Sequence, residues 1–142
     1  GGLGITQPRA YSYYISNSYF VGLSYPFTWG KAHMTGVVNY KFSPYIKPSH
    51  DVLATLYWWK PFCNYKGTLE GDCSVWLENK NHGDEFTKLL RGKRVFFFAE
   101  PQCWYRIRNS TSAGVKFNMY YHVLINADVL NFYPSFGIRC KL

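Results

Sequence analysis

The sequence predicts an all-β domain: an antiparallel β-sandwich or jelly-roll-like fold of about eight to ten short strands, with at most one short helix near residues 84–90. Three observations point there. Aromatic residues make up 20% of the chain, with thirteen Tyr, eleven Phe and five Trp, and such rings fit the pleated, half-buried surface of a sheet. Apolar and polar residues alternate with period two, most regularly where Val115, Phe117, Met119, Tyr121, Val123 and Ile125 interleave with Lys116, Asn118, Tyr120, His122 and Leu124. Clusters of Gly, Pro, Asn and Ser punctuate the chain at roughly regular spacing. A length of 142 residues suits a single domain over 1–142, burying roughly 68–70% of the surface its unfolded chain exposes.

Residues 1–25 are expected to form an irregular N-terminal arm. Three glycines and Pro8 open it, and two short strands follow around the Asn17-Ser18 break. Residues 26–30 read as a loop. In residues 31–42 Ala32, Met34, Val38, Tyr40 and Phe42 share one parity, which predicts a strand, with Gly36 a candidate bulge. Pro44 and Pro48 bias their predecessors away from helix, so 43–49 is an extended connection. Residues 51–62 are apolar at both parities, as in a central strand buried on two sides. A turn precedes the strand predicted over 72–78, where Cys73, Val75 and Leu77 alternate with Ser74, Trp76 and Glu78. The helical candidate is 84–90, with Asp84 to cap it and Gly92 to stop it. Residues 91–108 read as a central hairpin, two strands broken at Pro101. A polar loop at 109–114 leads to the alternating strand, and one or two strands close the chain.

The net charge is +8, unevenly spread, with five acids against Lys80 in residues 70–85 and a basic half after them. Such a field suits phosphates, acidic glycans or anionic surfaces, though plain colloidal repulsion explains it too. The physical candidate for a site is basic and aromatic: Lys93 and Arg94 on a turn, then Trp104, Arg106 and Arg108 on one parity of the next strand. Guanidinium forks hold phosphates and flat rings stack on bases or sugars. The competing reading is a solvated face with Trp104 shielded by arginine stems. In Tyr57-Trp58-Trp59-Lys60 the rings read first as core and second as a sugar platform.

Four cysteines, Cys63, Cys73, Cys103 and Cys140, form no Cys-x-x-Cys pair, which disfavours zinc ribbons and redox motifs. Two disulfides are expected, Cys63–Cys73 and Cys103–Cys140, against four reduced buried thiols. Asn109-Ser110-Thr111 is a glycosylation sequon in a predicted loop. His33, His50, His82 and His122 stand in no motif that fixes a chemistry, and no nucleophile-elbow, zinc-protease or phosphate-loop pattern occurs. No enzyme activity, metal or cofactor is therefore expected. No apolar run reaches the eighteen or so residues of a helical span, so no membrane span is expected either.

Two short pieces, Phe136-Gly137-Ile138-Arg139-Cys140-Lys141-Leu142 and Ala32-His33-Met34-Thr35-Gly36, resemble segments of tumour-necrosis-factor-like ligands, whose fold is a trimeric jelly roll. The central strand motif of that fold is missing here, and membership is not inferred.

Together these features lead to a secreted or surface-exposed, non-catalytic binding protein that meets a protein, a glycan or an anionic polymer through its basic-aromatic face. The alternative is a structural subunit of an extracellular filament or virus particle, forming a homo-oligomer through β-strand addition by the N-terminal arm. A small hydrolase or nuclease comes third.

Overall fold

The computed structural model describes residues 18–123 and 128–140. They form one antiparallel sheet of eight strands: β1 (Tyr19–Trp29), β2 (Ala32–Ser43), β3 (Ser49–Phe62), β4 (Gly67–Asn79), β5 (Lys93–Ala99), β6 (Gln102–Arg108), β7 (Thr111–Tyr121) and β8 (Leu130–Cys140). The all-β antiparallel class is as the alternation predicts. With β5 and β6 counted as one strand the order is a meander, in which each strand pairs with its neighbours in sequence, and no jelly-roll crossover joins the described strands. Among the described residues no helix is long and apolar enough to cross a membrane.

The expected central hairpin is instead one continuous strand. β5 pairs with β4 from Asn79↔Lys93 to Cys73↔Ala99, and β6 continues in the same register from Glu70↔Gln102 to Gly67↔Tyr105. Both also lie against β7. Pro101 fails to turn the chain because the ladder asks nothing of it there. The Glu100 amide donates to the Asp72 carbonyl at 2.9 Å, and the Pro101 carbonyl accepts from the Phe117 amide at 2.9 Å. Opposite stands Gly71, where a Cβ would lie 2.5 Å from the Glu100 oxygen and 2.9 Å from the Pro101 Cα. A glycine facing a proline lets the strand kink without reversing.

Other boundaries move for related reasons. β1 runs through the predicted loop at 26–30, and β8 runs through Pro134; both are edge strands, where a missing amide costs no ladder bond. β4 starts at Gly67, inside the predicted turn. Residues 84–90 form turns and not a helix, with one i→i+4 bond from the Lys88 amide to the Asp84 carbonyl. Of the expected arm, residues 19–25 belong to β1, Ser18 precedes it, and residues 1–17 lie outside the described residues.

The connections differ between the two ends of the sheet. At one end lie three tight turns, residues 30–31, 63–66 and 109–110; at the other lie 44–48, 80–92 and 122–129. The 63–66 turn uses left-handed backbone at Cys63, Asn64 and Tyr65.

Candidate functional site

Because paired residues in an antiparallel ladder point to the same side, the register sorts every strand residue onto one of two faces. One face carries Tyr19, Val21, Leu23, Tyr25, Phe27 and Trp29 of β1, Met34, Val38, Tyr40 and Phe42 of β2, and Val52, Leu56, Trp58 and Phe62 of β3. Leu69, Val75 and Leu77 follow on β4, then Val95, Phe97, Tyr105 and Ile107 on β5 and β6. Val115, Phe117 and Met119 on β7 and Phe132, Phe136 and Ile138 on β8 complete it. Its charged residues on the described strands are Lys60, Lys93 and, past the β6–β7 register shift, Arg108, all close to strand ends. This face is largely open: Leu23 is 83% exposed, Trp29 77%, Phe136 89% and Ile138 73%.

The opposite face carries nearly all the charge, set among rings and aliphatic side chains such as Leu53, Trp76, Phe96, Phe98 and Tyr120. It holds Lys41, Asp51, Glu70, Asp72, Glu78, Arg94, Arg106, Lys116 and Arg139, with Thr55, Ser74, Gln102 and Asn118 between them. The most secluded side chains of the molecule lie here, Glu78 and Ser49 at 0% exposure and Asp51 at 3%. The charged residues are inside, with Phe96 at 7% exposure among them, and a broad apolar surface lies outside, the reverse of the usual placing of charge in a water-soluble domain.

The sheet curls towards this polar face. Glu70 pairs with Gln102, Gln102 with Lys116 and Lys116 with Ser135, four residues before Arg139. In a flat sheet Glu70 and Arg139 would stand about 20 Å apart, from strand spacings of ~4.8 Å and a rise of ~3.3 Å per residue. That is a backbone separation, and the side-chain tips meet at 2.5 Å, closer than the two side chains can reach across a flat sheet, so this face is concave.

Two clusters fill the concavity. Near the long-loop end, the Glu78 carboxylate accepts from Lys41 Nζ at 2.8 Å, from Trp76 Nε1 at 3.3 Å and from the Tyr45 hydroxyl. Tyr45 stacks on His82 at 4.1 Å, and His82 Nε2 lies 3.7 Å from Glu78. Beside them Asp51 accepts from Lys93 at 2.8 Å and from the Ser49 hydroxyl. Every buried charge is thus paired, as seclusion from water demands. Near the short-turn end the Arg139 guanidinium lies 3.8 Å over the Trp104 ring and reaches Gln102 at 2.9 Å as well as Glu70. Trp104 donates to Gln102 at 2.9 Å and lies across Gly114 and Gly137, whose bare backbones make room for it. Lys116 meets Glu100 at 2.6 Å.

The five residues expected to form one basic-aromatic site are divided. Lys93 and Arg94 open β5 at the long-loop end, whereas Trp104, Arg106 and Arg108 close β6 at the short-turn end. Ten residues of one extended strand separate Arg94 from Trp104, about 33 Å. Trp104 is covered by an arginine, but by the guanidinium and not the stem that the competing reading proposed, and the arginine is Arg139. Sequence reading missed Lys41, Asp51, Glu78 and Arg139, which only the cross-strand register brings together. The signal was present in β4, where Glu70, Asp72 and Glu78 share a parity with Trp76 and not with Leu69 or Leu77.

The two expected disulfides are not formed; Cys63, Cys73, Cys103 and Cys140 are thiols. Cys103 pairs with Val115 and Val115 with Phe136, leaving Cys140 two strands away and four residues along. That offset is about 16 Å, against the 4.4–6.8 Å between Cα atoms that a disulfide needs. Cys63 lies seven residues along from Leu56, the partner of Cys73, on a neighbouring strand. Cys73, Cys103 and Cys140 serve on the apolar face as small hydrophobic residues. Asn109 sits exposed in the β6–β7 turn. Among the described residues no three His, Cys, Asp or Glu side chains gather as a metal site. No family model, curated protein or solved structure matches the chain.

Proposed function

We propose that this chain forms wall of a membrane β-barrel, its apolar face against lipid and its concave polar face lining the interior. The observation that carries this reading is the sorting of the two faces: rows of exposed apolar side chains outside, paired charges inside. Strands that cross a bilayer alternate apolar outward and polar inward, run 9–11 residues or more, and join through short turns on one side and longer loops on the other. Strands β1 to β4, β7 and β8 have 11 to 14 residues, and the combined β5 and β6 have comparable length. Tyr and Trp rings lie towards both strand ends, Tyr19, Tyr40 and Tyr121 towards the loops and Trp29, Trp58 and Tyr105 towards the turns, where interfacial belts belong. Apolar run length detects helical spans only, so a strand span escapes it.

A second reading is favoured by the two open edges, since β1 pairs only with β2 and β8 only with β7 among the described strands. Two copies stacked apolar face to apolar face would make a water-soluble sandwich, compatible with a secreted binding protein. One experiment separates the two. The purified chain is refolded in buffer, in micelles and with lipid vesicles, and followed by circular dichroism and light scattering. The barrel wall requires β-structure that forms in micelles or vesicles, with aggregation in buffer alone. A monodisperse β-rich dimer in plain buffer overturns it.

A further inference from the structure

We propose that the short-turn rim binds the phosphate groups of anionic phospholipids, an inference that rests on the barrel-wall reading. Lys31 lies in the β1–β2 turn, Lys60 and Lys66 flank the β3–β4 turn, and Arg106 and Arg108 end β6. All five are exposed. The side chains of Lys31, Lys60, Lys66 and Arg108 have no hydrogen-bond or ion-pair partner among the described residues, and Arg106 donates to the Tyr65 carbonyl. The acid nearest to them, Glu70, is held by Arg139. The loop acids Asp84, Glu85 and Asp128 all lie at the other end, mixed with Lys80, Lys88 and Arg91.

The register gathers these cations along one rim. The Arg106 amide donates to the Lys66 carbonyl at 2.7 Å, and the β2–β3 ladder ends at His33↔Trp59, beside Lys31 and Lys60. Rings project from the same end, Trp29 at 77% exposure, Tyr65 at 66% and Tyr105 at 46%. Amphipathic rings settle at the headgroup level of a bilayer, and basic side chains beside them meet the phosphates there. Five cations uncompensated by acid match a negatively charged leaflet and no neutral one. The same chemistry would serve free phosphate, but a row of cations spread over three turns fits an array of headgroups better than one small ion.

The test measures quenching of tryptophan fluorescence by brominated lipid in mixed vesicles of phosphatidylcholine and phosphatidylglycerol, with either lipid carrying the bromine. The expected result is a preference for phosphatidylglycerol of roughly tenfold, falling to within about twofold in the Lys66→Gln, Arg106→Gln, Arg108→Gln triple variant or at ~1 M salt. Equal quenching by the two lipids, or a preference unchanged in the triple variant, overturns the proposal while leaving the barrel wall intact. Loss of the preference in millimolar inorganic phosphate at constant ionic strength would assign the site to the free anion and overturn the lipid assignment. Failure to insert into vesicles of either composition overturns both readings.

Discussion

Arg139 on β8 donates to the Glu70 carboxylate on β4 at 2.5 Å, across the two strands between them. The pair acts as a clamp on the curl of the sheet, and the same guanidinium covers Trp104. Arg139→Lys keeps the charge but loses the fork that reaches both Glu70 and Gln102, and it stacks less well on the ring. The expected loss is about 1–2 kcal/mol for Arg139→Ala, since the pair is partly exposed, and less for Arg139→Lys. Urea titration in micelles measures both.

The Lys41–Glu78 pair is a different case, because both side chains are secluded from water. Glu78→Leu alone strands the Lys41 ammonium, and Lys41→Met alone strands the carboxylate; each is expected to cost about 3–5 kcal/mol. The double variant should cost clearly less than the sum of the two. Additive losses in that cycle would show that the pair is not coupled.

Two strand glycines should respond oppositely to alanine. At Gly114 a Cβ would stand 2.4 Å from the Cys103 carbonyl and 2.4 Å from the Trp104 ring, so Gly114→Ala should destabilise by about 1–3 kcal/mol. At Gly36 the nearest atom within reach is 3.9 Å away on Phe27, so Gly36→Ala should be neutral or slightly stabilising. Unfolding midpoints of the two variants decide the point.

The long loop at 80–92 should loosen in acid. Burial pushes the Asp84 carboxyl up, but the Thr87 hydroxyl and the Thr87 and Phe86 amides outweigh it and hold the group below its ordinary value. A carboxylate held low stabilises the folded loop above its unfolded pKa of ~3.9, and that contribution fades as pH falls through the lower folded value. Proteolysis at the exposed Phe86 or Leu89 with an acid-active protease should therefore accelerate below about pH 4. Asp84→Asn should open the loop at neutral pH and flatten the pH dependence.

Much of the fold was legible in the residues. The alternation around Val115 to Met119 marks β7, and Ala32 to Phe42 marks one face of β2. Two things were not legible. Pro101 reads as a break because its missing amide normally ends a ladder, and only the pairing with Gly71 reveals that no bond is lost. Alternation also gives two faces without saying which turns inward, and the usual assumption of surrounding water points the apolar one to the core. The ion pairs reverse that assignment, because Lys41 and Glu78 or Asp51 and Lys93 become neighbours only once the register is known. The basic residues expected to act together are divided by strand length, leaving Arg106 and Arg108 with Lys31, Lys60 and Lys66 and not with Arg94.

The most direct measurement is a nitroxide scan along β7 in vesicles, with the native cysteines replaced by serine and single cysteines placed at each position from 115 to 120. Positions 115, 117 and 119 should be open to oxygen and closed to a water-soluble nickel complex, while 116, 118 and 120 show no such contact with lipid. That period-two pattern is what a membrane wall predicts. Positions 115, 117 and 119 closed to both reagents, as inside a stacked protein sandwich, or open to the nickel complex would contradict it.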